Sequence, residues 1–378
     1  MSAAASPIIA VVLPPREGFG PRRARGIGLT VRHHALATST EHTVVFGSRQ
    51  FGPVFPDVTF RLAHTVAFIP GRVQARYALG LLFALRRLRP ASIEVHAEPL
   101  VAMWLQRLFP AIPVVLFLHD VPEANRLTRT PELRSELLSR TARIVTLSAW
   151  LRDRFLEGVR PHAHAPIVIP PCVDLTGLST SEAASATRRT PLVLFAGRLI
   201  PEKGVEQFVS ACITALPRLP GWRAEIIGAD QHAVTSPETQ FVRLIRAIAE
   251  PASISMMGYR DHPDLMAAMA SAAIVVIPSR TPEAGGRLAL EAMASGAAVI
   301  CPREGAFPEI VGDAAVYADP AQPTELAAAI CALGGDPRRL ATLGEAGRKR
   351  AARFDLSKIG AQLDEARARI IADGAPRR

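Results

Sequence analysis

Two stretches of this chain set ionisable residues beside glycines at the ends of apolar runs. In Phe195-Ala-Gly-Arg-Leu-Ile-Pro-Glu-Lys-Gly204 the apolar run closes at Ala196 and Gly197 lets the backbone turn. Arg198 then stands at a strand's carboxyl end, and Lys203 just before a helix that begins near Gly204. A guanidinium fork and an ammonium point charge at the mouth of a sheet suit a diphosphate. The second stretch is Pro278-Ser-Arg-Thr-Pro-Glu-Ala-Gly-Gly-Arg-Leu-Ala-Leu-Glu-Ala-Met-Ala-Ser-Gly296. Here adjacent glycines, Gly285 and Gly286, precede a helix starting near Arg287, so backbone N–H groups and the helix dipole make a second anion site. Gly296 is well placed to end that helix. Glu283 lies in the loop and Glu291 inside the helix. Carboxylates accept hydrogen bonds from vicinal hydroxyls, so two of them flanking a phosphate site point to a sugar and a ribose. Either glutamate alone would read as a surface residue; the combination is specific.

Such residues need strand ends to hold them. In the first half, strands are expected at Ile8–Leu13, Thr43–Phe46, Ser92–His96, Val114–Leu118, Ile144–Leu147 and Ile167–Ile169. Helices are expected at Val73–Leu88, Leu100–Leu108 and Pro131–Ser139. In the second half, strands are expected at Leu192–Ala196, Ala224–Ile227, Ile254–Met257, Ala273–Ile277, Ala298–Cys301 and Ala315–Ala318. Helices there are Val205–Leu216, Pro237–Ile248, Pro263–Ala270, Leu288–Ala294 and Thr324–Ala332, with more helix from Asp336 onward. Apolar strands alternating with helices predict parallel sheets covered on both faces, and two such sets predict two doubly wound α/β domains. The polar, small-residue stretch Gly177–Thr190 is the expected seam. The expected domains are 1–180 and 190–355, with a C-terminal helix over 356–378 packing back toward the first domain.

The 378 residues suit two domains of about 100–150 residues or more each. The 32 prolines sit at segment ends and punctuate loops. No run reaches the roughly 18 apolar residues of a spanning helix, and the N-terminus lacks a signal-peptide pattern, so a cytoplasmic location is expected. The four cysteines are scattered and read as small buried hydrophobes. Residues 1–190 hold 23 arginines, no lysine and 13 acidic residues, whereas residues 191–378 balance 21 against 21. The whole +10 excess therefore lies in the first half. With Arg72, Arg76, Arg86, Arg87 and Arg89 around Tyr77–Leu88, it matches either a solvated face or peripheral docking on the anionic inner face of a membrane.

The pair AGRLIPEKG and PEAGGRLALEAMASG, with Gly305-Ala-Phe-Pro-Glu309 after them, resembles the retaining glycosyltransferases of family 4. The likeness covers most of residues 191–355. It implies the GT-B fold, two Rossmann-like doubly wound domains facing across a cleft, and the seven-residue gap between Glu283 and Glu291 fits. By the resemblance, Arg198 and Lys203 bind the donor diphosphate and Glu291 the nucleotide ribose. Glu283 meets donor-sugar hydroxyls near the reacting carbon. The backbone of Gly286, Arg287 and Leu288 helps hold the phosphates, and Gly258-Tyr259-Arg260 lies beside the nucleobase. In the first half, His119 follows an apolar strand as the family's sugar-contacting histidine does. The loop Glu17-Gly18-Phe19-Gly20-Pro-Arg-Arg23 resembles the glycine-rich loop near phosphates and acceptor. Ser148 fits a family pattern or caps the following helix.

Two departures stand out. Ala284-Gly285-Gly286 replaces the usual Pro-Phe-Gly, which alters space near Glu283. Pro170-Pro171-Cys-Val-Asp174 replaces an asparagine-containing segment, and Pro171 brings no N–H. The chain contains no Asp-x-Asp, so the diphosphate charge is expected to be met by Arg198, Lys203 and helix N–H groups, with no metal or other cofactor. The expected partners are a nucleotide sugar, a glycan or glycolipid acceptor and an anionic membrane surface. A GT-B sugar-nucleotide epimerase or phosphorylase remains an alternative. An NAD-dependent oxidoreductase is disfavoured because no G-x-G-x-x-G follows a strand with an acidic residue at the right distance. Nucleic-acid binding is disfavoured because aromatics are sparse and no binding module is recognisable.

Overall fold

The computed structural model describes residues 6–39, 41–66, 73–176, 189–230 and 238–374. The chain forms two compact units: Met1–Cys172 with Leu356–Arg378, and Val173–Asp355. The division falls at Cys172, ahead of the expected Gly177–Thr190 seam. Val173 already pairs inside the second unit, donating its N–H to Phe354 O at 3.0 Å and bridging Asp355. Of the expected linker, residues 177–188 lie outside the described residues, as do Arg72 and Pro237.

The first unit contains β1 (Ile8–Val12), α1 (Gly26–Ala37), β2 (His42–Gly47), β3 (Thr59–Leu62), α2 (Val73–Gly80), α3 (Leu82–Leu88), β4 (Ser92–His96), α4 (Pro99–Leu108), β5 (Val114–Leu118), α5 (Pro131–Arg140), β6 (Arg143–Thr146), α6 (Ala149–Leu156) and β7 (Ile167–Val168). Its sheet runs β3-β2-β1-β4-β5-β6-β7 with every pair parallel. Strands β4 and β5 are buried at every position, as strands covered on both faces must be.

The second unit contains β8 (Thr190–Ala196), α7 (Val205–Ala215), β9 (Arg223–Ile227), α8 (Gln240–Ala249), β10 (Ile254–Gly258), α9 (His262–Ser271), β11 (Ala272–Val276), α10 (Arg287–Ala294), β12 (Ala298–Cys301), α11 (Phe307–Val311), β13 (Ala315–Tyr317), α12 (Pro323–Gly334) and α13 (Pro337–Ala351). Its sheet, β10-β9-β8-β11-β12-β13, is also parallel throughout. One core packs Val193, Phe195, Phe208 and Ile226 on one side. A second packs Leu194, Val275, Leu290 and Phe307 on the other.

Both sheets reverse their strand order once, at β1/β4 and at β8/β11. In open α/β sheets the crevice beyond the carboxyl ends at that reversal is where ligands bind. The loops after β8 and β11 are those carrying Arg198, Lys203 and Glu283.

The last helix, α14 (Leu356–Asp373), belongs to the first unit. Gly360 lets it lie on the end of α1, where a side-chain carbon would come within 1.9 Å of Ala37 O. Arg367, 2 % exposed, then pairs with Glu94 of β4 at 2.7 Å and with Glu41 at 3.0 Å. Three elements were not foreseen. α1 (GIGLTVRHHALA) carries two glycines and a histidine pair, weak helix formers held by burial. β3 is a mostly exposed edge strand, and α11 is a five-residue helix. The single helix expected over Val73–Leu88 is two, broken at Leu81, and at Gly80 a side-chain carbon would sit 1.5 Å from His64 O. Among the described residues no helix is long and apolar enough to cross a membrane. The cysteines are all free; Cys172, Cys212 and Cys301 are buried.

Candidate active site

At the reversal of the second sheet, β8 ends at Ala196 and the chain turns through Gly197 with φ at +151°. Arg198 follows, exposed, with no ion-pair partner among the described residues. Pro201–Lys203 forms one 3-10 turn that Gly204 ends in the left-handed region. Only glycine serves there, since a side-chain carbon would meet Pro278 O at 1.8 Å. This contact presses the Lys203 turn onto the end of the β11 segment. Lys203 Nζ accordingly donates to Glu283 Oε1, and both side chains are about a quarter exposed. Ser279, buried, donates to the same carboxylate oxygen at 2.7 Å. Behind it, Glu283 O accepts the Ala306 N–H at 2.8 Å, and Gly305 allows the approach. The cation expected for diphosphate and the carboxylate expected for sugar are thus ion-paired to each other.

Helix α10 begins after Gly286, which has φ of +60° and supplies no side-chain cap. Its first N–H groups, including those of Arg287 and Leu288, lack intrahelical acceptors by the geometry of a helix start. Glu291 is not a surface residue: its side chain is 5 % exposed. Arg287, one turn earlier, bonds its Oε1 at 2.7 Å, and His262 Nε2 lies 2.9 Å from the same oxygen. His262 escaped the sequence reading. It opens α9 directly after the cap Asp261, and an isolated histidine in a loop carries no spacing signal. Tyr259 and Arg260 follow the edge strand β10 and are exposed.

The first unit's reversal is built differently. Glu17, buried, accepts the N–H groups of Gly28 at 2.9 Å and Arg25 at 3.2 Å, so a carboxylate of the chain itself occupies the start of α1. Burial raises its pKa, with those hydrogen bonds and Arg25 working the other way. In the expected ligand loop the Phe19 side chain is fully buried against Phe55 and Phe60, at centroid distances of 5.2 and 5.6 Å. Gly18 and Gly20 serve the loop's own packing, because side-chain carbons there would meet Arg23 O at 2.2 Å and Pro53 O at 2.0 Å. What this loop does offer is a cavity of about 210 Å³ lined by Gly20, Arg22, Arg23, Gln50 and Phe51. His119 follows β5 and is half-buried. Ser148 caps α6, accepting the Leu151 N–H at 3.0 Å. Around Pro171, the carbonyls of Pro170 and Cys172 are met by His34 Nε2 at 3.4 Å and His33 Nδ1 at 2.9 Å.

Residues 180–350 match the family Glycosyl transferases group 1. The chain is 29 % identical over 339 residues to a glycogen synthase of Mycobacterium tuberculosis, covering 84 % of this chain and 78 % of that one. It is 30 % identical over 196 residues to a D-inositol 3-phosphate glycosyltransferase of Segniliparus rotundus, covering 50 % of this chain but only 43 % of the relative. Among solved structures, sucrose-phosphate synthase from Thermosynechococcus elongatus superposes with a TM-score of 0.76 at 20 % identity, over 97 % of this chain and 99 % of that one. Anabaena HepE in complex with UDP-glucose gives 0.76 at 19 % identity, over 96 % and 99 %. The fold is that of the GT-B glycosyltransferases, and the likeness to the glycosyl transferases group 1 lies in residues 180–350.

Proposed function

We propose that this chain transfers a sugar from a nucleotide-diphosphate sugar to a hydroxyl acceptor, with retention of anomeric configuration and without a metal. The observation that carries this reading is the reversal at β8/β11, where Arg198, Lys203, Glu283 and the uncapped start of α10 meet two carboxyl ends of one sheet. Anabaena HepE, of the same fold, binds UDP-glucose. The donor diphosphate would take Lys203 from Glu283, since the doubly charged diphosphate competes well against one part-exposed carboxylate. Glu283, released but still bonded by Ser279, then turns to sugar hydroxyls. Glu291, oriented by Arg287 and His262, takes the ribose. Tyr259 and Arg260 flank the base.

As the bond from the anomeric carbon to the diphosphate oxygen breaks, negative charge grows on the leaving group. Arg198, Lys203 and the α10 N–H groups meet that charge. The acceptor oxygen bonds to the anomeric carbon on the same face, and its proton passes to the departing diphosphate oxygen. His119 is read as a donor-sugar contact. The acceptor is a glycolipid, lipopolysaccharide or polysaccharide precursor, met at the anionic inner face of a membrane. On the first unit, Phe83 is 82 % exposed on α3 with Arg86 and Arg87 beside it, a pairing of aromatic and cationic groups suited to such a surface.

Thermal shift against UDP-, GDP- and ADP-sugars tests the donor class, since a ligand that binds the folded state raises the melting temperature. Product analysis with donor alone and with donor plus acceptor tests the reaction. A new sugar nucleotide from donor alone would mean an epimerase, and dependence on inorganic phosphate a phosphorylase. Co-sedimentation with vesicles containing anionic lipid, compared with zwitterionic ones, tests the docking.

A further inference from the structure

β4 and β5 lie side by side, and each delivers a histidine at its carboxyl end. His96 closes β4 opposite Phe117 in the parallel register, and Ala97 N–H donates to Phe117 O at 2.8 Å. The His96 ring is 1 % exposed and stacks on the Phe117 ring, with centroids 4.4 Å apart and planes 13° apart. Its Nδ1 lies 2.8 Å from His119 Nε2. The turn just beyond it is held in a costly shape: Ala97 sits at φ of +58°, the left-handed region that a side-chain carbon disfavours. Non-glycine residues persist there where the surroundings over-determine them, as functional sites do.

We propose that His96 is a positioning residue for His119, fixing the orientation and tautomer of its imidazole through the Nδ1···Nε2 hydrogen bond. One proton lies between the two nitrogens, so one ring must donate and the other accept. Burial holds His96 well below the ordinary imidazole range, and the charges of His119, His34 and Arg367 push the same way. His96 therefore stays neutral, and a proton gained by His119 leaves this bond intact, with Nε2–H donating to His96 Nδ1. The stack on Phe117 and the locked Ala97 turn stop the His96 ring from swinging, so its partner has one lowest-energy pose. The catalytic consequence rests on the reading of His119 as a donor-sugar contact; the positioning itself does not.

The test has two readouts. In protein labelled with 15N-histidine, the His119 ring nitrogens, assigned through His119→Gln, should report one tautomer in the wild type. In His96→Phe they should move away from the wild-type tautomer ratio, while His96→Gln, whose amide can still bond, should restore part of the bias. Unchanged His119 ring shifts in His96→Phe would overturn the positioning. If His96→Phe fails to fold, His96→Leu carries the same measurement. In turnover, His96→Phe should lower kcat about 10- to 100-fold with KM for the donor little changed, the range seen when partners that orient a working histidine are removed. In a His119→Gln background it should add nothing. A lost tautomer bias with wild-type turnover in both single variants would uphold the positioning and sink the role given to His119. An inactive His119→Gln beside a His96→Phe unchanged in both spectrum and turnover would do the reverse.

Discussion

The two sheet reversals use charge in opposite ways. In the second unit, Lys203 and Glu283 pair at about a quarter exposure, and Arg198 stands open to solvent. Under the proposed function these charges change partners when a donor arrives. In the first unit, Glu17 is consumed by the start of α1, and Arg367 is sealed between Glu94 and Glu41 at 2–3 % exposure. What remains at the strand ends is His119 with the uncharged His96 behind it. Under the proposed function one reversal neutralises an arriving anion, whereas the other holds a shape. The same fold therefore gives opposite responses to removal of a cation.

The largest effect is expected where the charge is structural. Arg367→Met leaves two carboxylates buried without their cation, and burial already pushes Glu41 up to about 7 with Arg367 in place. Breaking such a pair costs about 3–5 kcal/mol. Urea unfolding should show a loss of that order, with α14 released from the first unit. A loss below 1 kcal/mol would mean that the cluster is not what holds α14.

Lys203→Ala should do the converse, leaving the melting temperature near wild type while kcat falls about 100- to 1000-fold, as for loss of one donor to a developing anion. Glu283 keeps its bond from Ser279, so the loop has no reason to collapse. Glu291→Ala should abolish transfer but is the less clean variant, because Arg287 and His262 would lose their shared partner. Wild-type turnover in either would remove the donor site from this reversal.

The third prediction concerns pH. Burial, then the Arg367 charge, holds His34 at about 3 against an ordinary 6.5, the Pro170 carbonyl opposing only in part. Its folded pKa is depressed, so the unfolded chain binds the proton first. The stabilisation of the neutral ring is whole above about pH 6.5 and is lost as pH falls toward 3. The slope approaches about 1.4 kcal/mol per pH unit from this one group. Between pH 7 and 4 the wild type should lose melting temperature relative to His34→Leu as the pH drops. Parallel curves would place the acid sensitivity elsewhere.

Why the second unit was the more legible of the two follows from the same contrast. Its site residues sit in short loops next to their strands, so spacing along the chain approximates spacing in the fold: Lys203 and Glu283 meet because β8 and β11 are neighbours. Many strands were readable because strands buried on both faces tend to be continuous apolar runs, and Ala298–Cys301 and Val114–Leu118 have the expected bounds; Ser92–His96 has them too, although it buries Glu94 and His96. Contacts between residues far apart in sequence were not readable. Arg367 and Glu94 are 273 positions apart, His262 reaches Glu291 across two elements, and His96 reads as one apolar-strand residue among others. The glycines of the Gly18–Gly20 loop are ambiguous for a related reason. A glycine announces close approach but not of what, and here the approaching group is the chain's own backbone.

The smallest expected effect sharpens the comparison at single backbone positions. Ala97 and Gly286 hold nearly the same left-handed φ, +58° and +60°, at loops leaving β4 and β11. At Gly286 a side-chain carbon would come 3.0 Å from Ile310 Cγ1, within the second unit's core. Gly286→Ala therefore adds conformational strain to a tight contact and should cost about 1–2 kcal/mol while displacing the N–H groups at the start of α10. Ala97→Gly runs the other way. It relieves strain of that size but frees the unfolded chain, which offsets about 0.4–1 kcal/mol, so stability should rise by at most about 1.6 kcal/mol. If the strained turn serves to seat His96 against His119, that more stable variant should nevertheless show a weaker His119 tautomer bias. A gain in stability with the bias intact would make the Ala97 conformation a by-product of the chain's path into α4, leaving the stack on Phe117 as what fixes the His96 ring.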